Sequence, residues 1–273
     1  MTSQTRYEGD EKVANFYKID VHVHLGISSV LSVAGSTDEI IRKMRLNGID
    51  QSVISPIPGY EDPNGVADSR AQNDGIAAAL REHPDHLVRG LGVVEPRHGA
   101  AALDEVDRVM TDLGLSGLMF HNDFNGLPLD HPSMFAIVER LARYPDAVAQ
   151  VHTAQHSVLE APFQLGRLAD AFPTVTFLNA HPFMDTTHEA ASLDLGERHP
   201  NIVFDTAVSH TQLYPIEHAV ERLGADRVLW ASSNPYYETT LDIPLVANAA
   251  ISEDDKRKLF AENARRIFKI EEA

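Results

Sequence analysis

Apolar and polar positions alternate through residues 17–26, then switch to a three-to-four-residue spacing over 36–46, and the chain repeats that switch to its end. Alternation marks a half-buried strand; a period near 3.6 marks an amphipathic helix. The first helix gathers Ile40, Ile41 and Met44 on one face, opens on the capping pair Ser36 and Glu39, and stops at Gly48. The same reading places strands at 51–54, 87–94, 118–121, 147–152, 174–181, 201–207 and 227–232. Helices fall between them at 66–81, 101–113, 133–144, 158–172, 185–199 and 211–223, and a last one covers 252–270. Strands and helices alternating this way imply parallel strands joined by crossover helices. No composition break divides the eight units, so the expected fold is one (β/α)8 barrel domain over 1–273 with an extra C-terminal helix. An open doubly wound sheet is the alternative, but no strand-to-helix turn carries a G-x-G-x-x-G or phosphate-loop pattern.

Composition narrows the chemistry. The 273 residues are 43% hydrophobic, enough for a large core, and the net charge is −17 with a pI near 5.1. A surface this acidic argues against nucleic acid or an anionic membrane as partner. With no cysteine there is no disulfide framework, thiolate site or cysteine nucleophile, so any metal must take His, carboxylate, hydroxyl or water ligands. Residues 1–12 are polar without an apolar leader core, and no apolar run reaches bilayer length, so a soluble, cytoplasmic protein is expected.

The histidines are not scattered. His22 and His24 stand two apart on the first strand, where side chains share a face. His121, His152 and His181 end the fourth, fifth and sixth strands. Parallel barrels carry their chemistry at the strands' C-terminal ends, so five of the fourteen histidines converge on one expected mouth. Asn122 and Phe124, just after the fourth strand, are expected in the substrate wall, and Tyr236, beside Tyr237, at the mouth. Trp230 is assigned to the core, and Arg89 to a structural pairing with an acidic side chain inside the barrel. His83, His86 and His98 are assigned to solvent, and Asp20 to the helix-facing side of its strand.

These residues resemble the amidohydrolase superfamily, in the branch holding the amidohydrolase-2 hydrolases and the decarboxylases related to aminocarboxymuconate semialdehyde decarboxylase. The likeness rests on Ile19-Asp20-Val21-His22-Val23-His24, Gly117-Leu118-Met119-Phe120-His121, Val151-His152-Thr153, Asn179-Ala180-His181-Pro182 and the terminal Asn263-Ala264-Arg265-Arg266. It implies that His22, His24 and His152 bind a metal, zinc first and manganese or another divalent ion as the alternative, with no organic cofactor. It makes His181 a proton-transfer group, turns His121 toward substrate or metal, and suggests a homodimer.

One position departs from the pattern. Where the family has Gly-Ser-Asp-x-Pro on the eighth strand, this chain has Ala231-Ser232-Ser233-Asn234-Pro235, so Ser233 stands at the Asp position. A hydroxyl is a poor base and a weak ligand. Asp205 and Glu238 are the carboxylates that could substitute, although Asp205 reads better as the hydrogen-bond partner of a ligand histidine. Three functions are carried forward. The first is hydrolysis of a small amide, lactone or ester by zinc-bound water, whose pKa falls to about 7 on the metal. The second is metal-dependent decarboxylation of a small carboxylic acid, and the third a ligand-binding barrel without turnover.

Overall fold

The computed structural model describes residues 16–28, 31–59 and 64–271, so the polar 1–12 stretch lies outside the described residues. The chain runs through β1 (Ile19–Ser28), β2 (Val33–Gly35), α1 (Thr37–Asn47), β3 (Gln51–Pro56), α2 (Val66–Glu82), β4 (Leu87–Gly90) and α3 (Ala100–Thr111). It continues with β5 (Gly117–Phe120), α4 (Asn122–Asn125), α5 (Pro132–Leu141), β6 (Val148–His152), α6 (Pro162–Ala171), β7 (Thr176–Ala180) and α7 (Thr186–Arg198). Last come β8 (Ile202–Asp205), α8 (Pro215–Leu223), β9 (Val228–Leu229), α9 (Asp242–Asn248), α10 (Glu253–Arg257), a π-helical stretch over Lys258–Glu262, and α11 (Asn263–Phe268).

Strands β1, β3 and β4 pair in parallel, as do β5 through β9 in sequence order; β2 folds back antiparallel on β1. Two parallel bridges, Gly92 with Leu118 and Val23 with Asn234, join the two sheets at both edges. The eight parallel strands therefore each have a neighbour on both sides, the arrangement of a (β/α) barrel.

Alternation sorts the side chains. Val23, Ile54, Phe120, Val151, Phe177 and Phe204 pack outward on helix residues such as Ile40, Val106, Ile137 and Leu168. The other set, Val53, Leu91, Val148, Leu178, Val203 and Leu229, forms a second cluster with Ala264, Ile267 and Phe268 of α11. Followed along the strands with period 2, that inward register puts Gln150, His152, Asp205 and Ser233 on the interior. In β1 a register shift between Asp20 and Val23 interrupts the pairing. Asp20 bonds Ser232 (Oγ to Oδ2, 2.5 Å) and does not line the cavity, while His22 and His24 face it.

The caps follow the sequence in part. Ser36 accepts the Glu39 N–H at 3.3 Å, but the Glu39 carboxylate turns to Arg42, so only half of the capping box forms. Gly48 closes α1 at φ 60°, a left-handed conformation that glycine adopts without strain. At Gly117 a Cβ would lie 1.8 Å from the Val148 carbonyl oxygen, so no side chain fits where β5 meets β6.

Several boundaries differ from expectation. The third strand stops at Gly90, the sixth helix starts at Pro162 rather than 158, and the eighth begins at Pro215 after a 3-10 turn. The eighth parallel strand shrinks to Val228–Leu229 because the Trp230 N–H leaves the ladder for the Leu259 carbonyl of the π-helical stretch. Trp230 is fully buried, as expected. Among the described residues Arg89 has no acidic partner: it donates to the carbonyls of Val88, Phe268 and Lys269, tying β4 to the end of α11. Its role is structural, but two of its three partners are carbonyls at the C-terminal end of a helix.

Candidate functional site

The strand ends surround a cavity of about 170 Å³, open to solvent, lined by His22, His24, His121, His152 and His181. All five predicted histidines are thus brought together. Phe124, Ser233, Tyr236 and Tyr237 share the lining.

Each histidine is held from behind. Asp205 Oδ2 lies 2.7 Å from His22 Nδ1, while its Oδ1 accepts the backbone N–H groups of His181 (3.0 Å) and Ala207 (3.1 Å). His24 Nδ1 faces Ser55 Oγ (2.9 Å) and the Pro56 carbonyl oxygen (3.2 Å). His152 Nδ1 meets Glu160 Oε1 at 2.5 Å, and the other oxygen of Glu160 lies 3.2 Å from His121 Nδ1. The His121 and His152 rings stack at 3.8 Å with 10° between their planes. His181 Nε2 sits 3.1 Å from Ser233 Oγ. Both residues have positive φ, 57° and 58°, which costs a non-glycine residue strain and is common at functional sites.

Burial disfavours the charged form of four of these imidazoles. It lowers His22 to about 3 and His121 to about 4, in each case helped by the neighbouring His152, and holds His24 and His181 well below the usual histidine range. Burial pushes Asp205 the other way, up to about 7. Burial would raise Glu160 too, but His152 and His121 outweigh it and bring its carboxyl below the usual range.

This donor set fits a cation. The Pro56 carbonyl only accepts, so His24 carries its proton on Nδ1 and presents a bare Nε2. That nitrogen faces His22 Nε2 at 3.0 Å, a gap that holds one shared proton or one cation and nothing else. Two nitrogens about 2.1 Å from a metal and at right angles to each other are about 3.0 Å apart. His152 does not close with this pair to the same spacing: among the described residues, the acid and imidazole atoms that converge within 4.8 Å belong to His121, His152 and Glu160.

Some expected residues lie elsewhere. Asn122 is buried beneath the loop, its amide on the Leu127 carbonyl, and does not line the cavity. Glu238 is 55% exposed, 3.7 Å from Lys43, and supplies no carboxylate to the site. Asp205 takes the position of a histidine partner, as its sequence context suggested. Glu160 was missed. It follows β6 in a stretch whose apolar spacing reads as helix, and the available signal was Pro162, which marks a helix start and leaves Glu160 in the preceding loop.

The amidohydrolase family model matches residues 19–270. A curated relative, the 2-amino-3-carboxymuconate-6-semialdehyde decarboxylase of Dictyostelium discoideum, is 31% identical over 116 residues. That match spans 41% of this chain and about a third (32%) of the relative's length. Among solved structures, 5-carboxyvanillate decarboxylase LigW from Sphingomonas paucimobilis superposes with a TM-score of 0.76 at 20% identity, over 94% of this chain and 100% of that one. The 2,6-dihydroxybenzoate decarboxylase from Rhizobium gives 0.73 at 19%, over 93% and 99%. The manganese-bound LigW2 from Novosphingobium aromaticivorans gives 0.75 at 18%, over 94% and 98%. At these identities the structural likeness establishes the fold. The relatives correct the first functional expectation: those with a named reaction are decarboxylases, so hydrolysis by zinc-bound water gives way to the second reading. Manganese is the metal named with two of these neighbours, LigW2 and a dihydroxybenzoic acid decarboxylase from Polaromonas.

Proposed function

This chain belongs to the amidohydrolase family, and from that premise we propose that it is a divalent-metal-dependent decarboxylase of a small carboxylic acid. The observation that carries the reading is an acid-free cavity. None of its described lining residues is Asp, Glu, Lys or Arg, because Asp205 and Glu160 are both engaged behind histidines. Hydrolysis by metal-bound water would draw on a carboxylate base at the position Ser233 fills; loss of carbon dioxide needs a held carboxylate, a sink for the electron pair and a relayed proton, and no carboxylate base.

His22, His24 and His152 would hold the metal, which supplies the positive charge that binds the carboxylate and draws off electron density. Asp205 and Glu160 fix the rings of His22 and His152, so their cavity-facing nitrogens stay bare and aimed. Met119, Phe124, Met184 and Tyr236 form walls that strip water from the bound acid and face the flat part of the substrate. As the carbon–carbon bond breaks, the electron pair remains on the ring or chain carbon and carbon dioxide departs. A proton from solvent, relayed through His181, which Ser233 holds at 3.1 Å, takes the place of the carboxyl group on that carbon; His121, stacked on His152, bounds the same space.

The test is carbon dioxide release from carboxyl-labelled aromatic and unsaturated acids by the manganese-loaded protein. Release that falls at least about a hundredfold in His181→Asn supports the reading. Failure of the loaded protein to release label from any acid overturns it.

A further inference from the structure

We propose that Gln150 reads the ligand in this cavity, donating its side-chain N–H to an oxygen of the bound molecule. Val148, Gln150 and His152 share the inward face of β6, so Gln150 lies one step below His152, in register with Met119 on β5. It lines the cavity yet is only 1% exposed, and its Nε2 has no hydrogen-bond partner among the described residues. A buried amide N–H without a partner is costly, and native structures retain one where something else completes it. Among the described residues with such an unpartnered buried atom, His121 and Gln150 alone line this cavity. His121 has the Glu160 carboxylate 3.2 Å from its Nδ1, which leaves Gln150. The side chains of Met119, Phe124 and Met184, which share this lining, offer no competing oxygen or nitrogen acceptor.

An N–H donor selects an acceptor. The ligand is therefore a flat, largely apolar molecule bearing a carboxylate, carbonyl or phenolate oxygen that reaches the cavity floor, and an ammonium group there is rejected. The assignment rests on the decarboxylase reading only in taking a carboxylic acid as the ligand.

The experiment measures binding of benzoate and 2-hydroxybenzoate to the manganese-loaded protein by calorimetry, with toluene as the ring lacking an acceptor, alongside melting temperature and manganese content. Gln150→Leu should weaken both acids on the order of 10- to 100-fold, leave toluene and manganese content unchanged, and melt at or above the wild type because an unpaired N–H is gone. A structural role predicts the reverse, a lower melting temperature with acid binding intact, and that result overturns the proposal. Gln150→Glu keeps the size but presents acceptors. It should bind the acids more weakly than the Leu variant, and acid binding at wild-type strength overturns the proposal, as does a wild type that prefers toluene to both acids. Acid binding that depends on Gln150 without carbon dioxide release would end the decarboxylase reading and leave this assignment standing.

Discussion

Two carboxylates hold the two sides of this site, and they do so under opposite conditions. Asp205 ends a strand, is fully buried, and is fixed by two backbone N–H groups besides His22. Glu160 sits in a loop shaped by Ser157, whose hydroxyl accepts the Leu159 and Glu160 N–H groups and donates to Asp123. Asp205 meets one imidazole, too little to offset burial, and its pKa rises to about 7. Glu160 faces two, and its pKa falls. The same task, aiming a histidine, is therefore performed by a frame group at a strand end, fixed by two backbone N–H groups, and by an equally buried clamp in a loop, which accepts the Asp123 N–H.

The sharpest way to break this contrast is to remove each carboxylate. Asp205→Ala leaves His22 Nδ1 and the backbone N–H groups of His181 and Ala207 unpaired. It should cost about 3 kcal/mol of unfolding free energy and about a hundredfold in manganese affinity. Denaturant titration and metal-buffered calorimetry give both numbers. Glu160→Gln should lower manganese affinity about tenfold at a cost of only about 1 kcal/mol. Equal losses of stability in the two variants would erase the distinction between frame and clamp.

A finer effect lies in pH. A carboxyl raised on folding stabilises fully below its unfolded value near 3.8, and that contribution is lost as pH rises through about 7. A lowered one stabilises above its unfolded value near 4.5 and loses that contribution as pH falls. The buried histidines add stability as pH rises through 6.5, so wild-type curves mix the terms. Differences isolate them. In metal-free protein, wild type minus Asp205→Asn should decline from pH 4 to about 7, and wild type minus Glu160→Gln should decline only on the acid side. A flat first difference would show that Asp205 is ionised throughout. The smallest effect expected is that of Glu238→Gln, which removes an exposed pair with Lys43 and should leave metal affinity unchanged and stability within about 0.5 kcal/mol.

The same contrast explains what could be read from sequence. His121, His152 and His181 were legible because each stands at the end of a strand, and His22 and His24 because they stand two apart on one, both set by short-range alternation. Asp205 was legible for the same reason. Glu160 was not, since its place depends on a loop whose bends come from Ser157 and Asp123, contacts that no periodicity encodes. Asn122 looked like a wall residue from its position after β5, but the turn of α4 directs its amide inward to Leu127. Gln150 read as an ordinary interior position. Only the absence of a partner in three dimensions sets it apart.

The bridge between Val23 and Asn234 has a consequence for the making of the protein. His24 N–H donates to the Asn234 carbonyl and Ser233 N–H to that of His22, so the first strand is seated by a segment synthesised near the end. A ribosome that has released all five histidines has still not supplied the neighbour that aligns His22 with His24. Contacts so distant along the chain form late. A nascent chain stopped before Trp230 would carry the full set of imidazoles yet lack the geometry to trap an ion, which confines metal capture to the finished polypeptide.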